Sequence, residues 1–306
     1  MKKTTKKNIR KAKFSLRRNA FQVYSDLKYF KPVWQLVNRK AIKSFQSNRP
    51  VLSPAQERIL NQLNADGIAT TSLEELFPNK NILQELTEYL KKRSHREYQN
   101  FKKPFLIDLI PEVPELGVEV PFFNLAIDKT ILDIVNSYLG LHSVLYYYNI
   151  RKTKLSGDAL PTHSQNWHRA PQESKNCRVY IYLSDVTEDS GPFMYVPQST
   201  KGGKYAHVAK QTSRTRGYES AEQIEAKVVR SDIMTVTGKA GTVIICDSTG
   251  LHRGGYSNKD TRVMSTFGYS APSFRENINY SYPESLKEKI ASTPAVQQVL
   301  NPKWER

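Results

Sequence analysis

Residues 177–186, CRVYIYLSDV, alternate along their length: Val179, Ile181 and Leu183 fall on one face of an extended chain, and Tyr180, Tyr182 and Ser184 on the other. One strand of a two-sheet sandwich requires this alternation. The same texture, β-branched and aromatic residues punctuated by Gly, Pro, Asn, Asp and Ser, recurs in VLYYYNI (144–150), FMYVP (193–197), GTVIICDS (241–248) and RVMSTFGYSA (262–271). The second half of the chain therefore reads as an all-β core. Residues 201–239 are polar and carry Gly202, Gly203, Gly217 and Gly238, with a short helical pattern at 219–227, which predicts a loop insertion over one end of that core.

The first half carries helical signals instead. Ser53 precedes Pro54, and Ile59, Leu60 and Leu63 follow at helical spacing up to Gly67, giving an N-cap, a first-turn proline and a C-terminal glycine. Residues 81–99 repeat the period through Ile82, Leu83, Leu86, Tyr89 and Leu90, and Asp128 heads a further helix through Ile131, Leu132, Val135 and Leu139 to Gly140. Two more helical patterns, 283–291 and 294–300, are expected to pack outside the core.

The formal charge is +17, but residues 1–50 hold fifteen Lys or Arg against one acid, Asp26. The chain thus divides into a basic N-terminal arm, 1–50, and a nearly neutral single domain, 51–306. Phe14, Leu16, Phe21, Tyr24, Phe30 and Trp34 interleave with the arm's charges, a pattern for a partly helical segment lying on a surface or on the body; a disordered, solvated tail is the other reading. Such an arm could meet an anionic surface or an acidic carrier, and nucleic acid is indicated by nothing beyond charge. No run of about 18 apolar residues occurs, and the opening MKKTTKKNIRKAKF lacks the apolar stretch of a secretory signal, so no transmembrane segment and a cytoplasmic location are expected. Cys177 and Cys246 sit in apolar strand runs, where a reduced thiol fills core space.

Three segments carry chemistry in order: SQNWHRAPQ (164–172), YIYLSDVTEDSGPFMYVPQST (180–200) and GTVIICDSTGLHRGGYSNKDTRV (241–263). Together they resemble the phytanoyl-CoA dioxygenase family of Fe(II)/2-oxoglutarate-dependent oxygenases, in outline over residues 53–275 and most closely from 163 to 269. The resemblance implies a double-stranded β-helix, a cupin-like jelly roll with flanking helices, that uses iron, 2-oxoglutarate and O2. It makes His168 and His252 the imidazole ligands of the metal. Arg262 becomes the partner of the distal 2-oxoglutarate carboxylate, with Ser265 or Thr266 beside it and Tyr146 (with Tyr148) and Gln165 at the cosubstrate pocket.

In one position the chain departs from the family. Where the family reads His-x-Asp, this chain reads His168-Arg169-Ala170. Two imidazoles and a carboxylate ordinarily hold Fe(II) on one face. Ala170 in place of the carboxylate is the pattern of the family's halogenating branch, in which chloride or bromide takes that place and is transferred to an unactivated aliphatic carbon by radical chemistry. Two other readings stand beside it: a hydroxylase whose aspartate has been substituted, with water or Glu173 filling in, and a binding module that has lost the metal. Glu173 itself reads as a solvated loop acid. Arg169, Arg253, Lys175 and Arg178 form a basic rim that suits an anionic, small or carrier-linked substrate.

Overall fold

The computed structural model describes residues 30–300 apart from 94–96, 115, 158, 171–172, 211–216, 275–279 and 282–292. The chain folds around two antiparallel sheets. The larger has seven strands in the order β1-β8-β5-β10-β4-β3-β2 and the smaller three, β7-β6-β9. The strands are β1 Ile68–Ser72, β2 Tyr98–Gln99, β3 Leu106–Asp108, β4 Val144–Thr153, β5 Cys177–Tyr182, β6 Phe193–Tyr195, β7 Met234–Val236, β8 Thr242–Cys246, β9 His252–Gly254 and β10 Val263–Ser270. This is the mixed α+β jelly roll expected.

The alternation of 177–186 is realised on both faces of β5. Cys177, Val179 and Ile181 pack into the large core under the helices, while Tyr180 and Tyr182 pack between the sheets with Phe193, Tyr195, Ile244 and Cys246. Helix α1 (Lys31–Val37) and α2 (Arg39–Ser47) lie on this helical side, followed by α3 (Pro54–Asp66). Helix α3 begins and ends where its punctuation says: Ser53 and Gln56 form a reciprocal capping box, and Gly67 takes the left-handed conformation at φ 78°. Asp128 likewise accepts the Thr130 N–H at the head of the helix Lys129–Leu139, which ends at Gly140.

Residues 31–47 contribute to the core. Ala41 and Phe45 are buried, Phe45 edge-on to His142. Asn38, between α1 and α2, donates to Ser273 Oγ at 2.9 Å and accepts the Ser273 N–H at 3.0 Å. The pattern over 81–99 runs short of its expected length: the helix spans Ile82–Lys91, because after Leu90 no apolar residue extends its buried face. Within the loop over the core, a one-turn helix (Ala221–Glu225) buries Ile224 against Trp167, Tyr205 and Leu251. The pattern 294–300 forms a helix, Pro294–Val299, whereas 283–291 lies outside the described residues. Both cysteines are free and buried. No helix of the described residues is long and apolar enough to cross a membrane.

Candidate active site

His168 and His252 face each other across an isolated antiparallel bridge, each donating its backbone N–H to the other's carbonyl at 3.0 Å. Their rings are 4.3 Å apart between centroids. His168 Nδ1 lies 3.0 Å from Asn166 O and His252 Nδ1 2.9 Å from Gly250 O. A carbonyl only accepts, so both Nδ1 atoms carry the hydrogen and both Nε2 atoms present a lone pair. Burial, reinforced by the positive charge of Lys103 and Arg178, lowers the His168 imidazole to about 3 and His252 well below its ordinary value. Two neutral imidazoles oriented through backbone carbonyls are a donor set that suits a divalent transition metal.

The cavity beside them opens between the sheets. Its wall includes Arg262, Met264 and Thr266 from the β10 strand and its lead-in, Tyr147, Asn149, Arg151 and Thr153 from β4, and Arg178 and Tyr180 from β5. Arg262 is buried, its N–H held by Thr153 Oγ1 at 2.8 Å and its guanidinium bonded to the Tyr182 hydroxyl. Its Nε and Nη1 have no hydrogen-bond partner among the described residues. Such a pair of buried donors is costly unless an anion meets it, and a carboxylate matches the guanidinium fork. The 2-oxoglutarate role expected for Arg262 therefore fits the chemistry of its surroundings.

Other expected positions lie elsewhere. Ser265 is fully buried, but it faces away from the cavity, paired in register with Ile150 and Ile181 of the helix-side core; Thr266 faces in. Period two puts neighbouring residues on opposite faces, so only one of the two can serve the cavity. Tyr148 packs in the core, stacked on Phe267, while Tyr146 packs on Phe274 and bonds Arg178. Tyr147 is the tyrosine that lines the cavity, in period two with Asn149, Arg151 and Thr153, and a register shift opposite Gly268/Tyr269 interrupts the alternation only at Tyr146. Gln165 accepts the Thr162 N–H at 3.2 Å and closes the 3₁₀ turn His163–Gln165, so its role is to shape the approach to His168.

Ala170 is buried, with its N–H on Ser248 O at 2.8 Å, and does not form part of the cavity wall. Glu173 is not a solvated loop acid: it is fully buried and accepts from Ser273 Oγ at 3.3 Å, away from the cavity. Among the described residues no group of three or more His, Cys, Asp or Glu could hold a metal. Among the described residues the cavity thus presents two imidazoles and no carboxylate.

The basic rim also differs from expectation. Arg169 turns into the body, donating to the carbonyls of Ser199, Thr249, Tyr205, Val208 and Ala209, and burial lowers it to about 10. Arg253 lies over the Trp167 ring and Lys175 bonds Tyr138 O. The cations at the cavity are Lys103, Arg151, Arg178 and Arg262. Arg151 is paired with Asp108 at 2.6 Å. Lys103 donates to Ser164 Oγ at 2.9 Å, and burial together with Arg151 and Arg178 lowers it to about 7. Sequence reasoning missed Lys103 and Asn149; the polar alternation Asn149, Arg151, Thr153 was the available signal for the second.

A model of the phytanoyl-CoA dioxygenase family matches residues 49–264. The chain belongs to this family. Phytanoyl-CoA dioxygenase relatives are iron- and 2-oxoglutarate-dependent oxygenases, which accords with the two imidazoles and Arg262. Among solved structures, the non-heme α-ketoglutarate-dependent epimerase SnoN from nogalamycin biosynthesis is similar at 13% identity and a TM-score of 0.50, over 71% of this chain and 83% of that one. HygX from Streptomyces hygroscopicus, with nickel, 2-oxoglutarate and hygromycin B bound, is similar at 15% identity and a TM-score of 0.49, over 77% and 100%. EctD from S. alaskensis with bound Fe gives 17% and 0.49, over 82% and 88%. At 13% identity the likeness to SnoN concerns the fold alone. No curated protein matches the sequence.

Proposed function

We propose that this phytanoyl-CoA dioxygenase family member is an Fe(II)- and 2-oxoglutarate-dependent halogenase, which places chlorine or bromine on an aliphatic carbon of a small or carrier-linked substrate. One observation carries the reading: the cavity beside His168 and His252 is lined by three arginines and Lys103 and by no carboxylate among the described residues. A metal held by two neutral imidazoles in that field favours an anion from solution as a further ligand, and Ala170 offers no competing side-chain donor.

Iron with 2-oxoglutarate and O2, when bound, supplies the radical cleavage of a C–H bond. The chain's own residues do the rest. His168 and His252 hold the metal through Nε2, their Nδ1 hydrogens tied to Asn166 and Gly250 so that neither ring can turn. Arg262, braced by Tyr182 and the Thr153 hydroxyl, binds the distal carboxylate of 2-oxoglutarate. Phe193, Tyr180 and Met264 give the cavity apolar surface that keeps water from the reacting carbon.

The test is product mass after incubation with Fe(II), 2-oxoglutarate and candidate substrates, with and without chloride or bromide. A halide-dependent mass increase with the matching isotope pattern is expected. A hydroxylated product indifferent to halide would replace this reading with that of a hydroxylase lacking its carboxylate. Failure to bind both Fe(II) and 2-oxoglutarate would leave a binding module.

A further inference from the structure

Arg178 is the cavity cation that the 2-oxoglutarate reading does not use. It projects from β5 into the cavity, hydrogen-bonded to the hydroxyls of Tyr146 and Tyr180 and lying 5.4 Å from the Tyr147 ring centroid. Its Nε has no hydrogen-bond partner among the described residues, and Asp108, on the neighbouring strand β3, is already engaged by Arg151 at 2.6 Å and by Asn100 at 2.7 Å. Three tyrosines thus frame a guanidinium without a carboxylate. Gly268 opposite it leaves room for this frame, since a Cβ there would meet Tyr147 Cβ at 2.8 Å and Tyr146 Cζ at 3.0 Å.

The register separates Arg178 from Arg262. Across β5 and β10, Met264 pairs with Tyr182 and Gly268 with Arg178. Arg262 precedes Gly268 by six residues on the same face. That is ~20 Å of strand, about twice the reach of a five-carbon diacid even with the side chains leaning inward. Arg178, not Arg262, is the guanidinium whose charge acts on both histidines. Both guanidiniums line the cavity that His168 and His252 also line. Asn149 Nδ2, buried between the two anchors on β4 and without a partner, adds a neutral donor on the same wall.

We infer that the primary substrate carries an oxyanion, a carboxylate or a phosphate, which seats on Arg178 within its tyrosine frame while 2-oxoglutarate occupies Arg262. This rests on the reading of Arg262 as the cosubstrate anchor. Arg178 is half-buried with its Nε unmatched among the described residues, and a ligand oxyanion that accepts from Nε adds a charge-assisted hydrogen bond on binding. The acid group at Arg178 fixes one end of the substrate, so that a carbon a few bonds away lies beside the histidines.

The experiment measures binding in the metal-free protein, with inorganic phosphate and acetate as probes and thermal stabilisation and calorimetry as readouts, each with and without saturating 2-oxoglutarate. Stabilisation by at least one probe that persists in 2-oxoglutarate is expected, and the tighter probe identifies the acid class. Arg178→Gln should weaken that probe at least tenfold. Arg178→Lys, which keeps the charge and loses the fork, should weaken it less and guards against misfolding. Arg262→Met should leave the probe unaffected. Unchanged probe affinity in both Arg178 variants would overturn the inference, as would one-for-one displacement of the probe by 2-oxoglutarate in the wild type. Absence of 2-oxoglutarate binding alongside Arg178-dependent probe binding would overturn the cosubstrate assignment and leave the oxyanion site standing.

Discussion

At the scale of single residues, the site is a contest between donors that are present and one that is absent. Ala170→Asp restores a carboxylate two residues after His168. It should suppress halogen incorporation at least 100-fold and tighten metal binding, as followed by product mass and Fe(II) titration; sustained halogenation would remove Ala170 from the mechanism. Arg262→Met should cost 2-oxoglutarate about 1.5–3 kcal/mol, roughly 10- to 150-fold in affinity by calorimetry, the usual worth of hydrogen bonds to a charged group. A third consequence is acid lability. His168 is held neutral to about 3 in the folded chain, whereas an unfolded imidazole titrates near ~6.5. Between those values the unfolded chain binds the extra proton, so metal-free stability is full above ~6.5 and falls as pH drops towards 3. His168→Gln should flatten that slope in melting temperatures taken from pH ~6.5 to ~4.5. The two histidines and Arg262 were legible from their motifs. Arg178, one of several nearby positive residues in the sequence, acquires its meaning only from the tyrosines around it.

Secondary-structure elements whose signals are local were readable to within a residue or two. Ser53, Pro54 and Gly67 bound α3 because capping is decided by a few backbone groups at each end. The strands of 177–182, 242–246 and 263–270 follow their alternation because each face has a different core to enter. Where an element depends on a distant partner, the sequence was silent: Tyr148 packs in the core whereas Tyr146 packs on Phe274, since the register shift lies in the pairing with β10 and leaves no trace in VLYYYNI. Short strands such as β3 and β7 exist by pairing with β4 and β6. Helix α2 shows how far packing outweighs composition. Among its basic residues, Phe45 is buried against His142, and Phe45→Ala should cost about 3–5 kcal/mol in denaturant unfolding, the range for a buried phenylalanine. A cost near zero would mean that α2 does not hold to the body in solution.

Over the whole molecule, most of the N-terminal charge precedes, in sequence, the residues that enter the core. Residues 1–29 carry ten Lys or Arg and Asp26, whereas 38–45 supply Asn38, Ala41 and Phe45 to the core. We propose that the arm recruits the enzyme to an anionic surface or carrier. Deleting 1–29 should leave the melting temperature and turnover of a free substrate unchanged while abolishing salt-sensitive binding to anionic vesicles, whereas deleting 1–48 should lower the melting temperature markedly. The sequence by itself determined the family, the jelly-roll class, the paired histidines, Arg262 and the absent carboxylate, because motif order and period-two patterning are properties of the chain read locally. Tertiary structure alone decided which of two adjacent residues faces the cavity, that Glu173 is buried away from it, and that Arg178 meets no acid among the described residues in the cavity beside the paired histidines. Those outcomes depend on strand register and on which charges share a buried volume, and both are set by contacts between residues far apart in sequence.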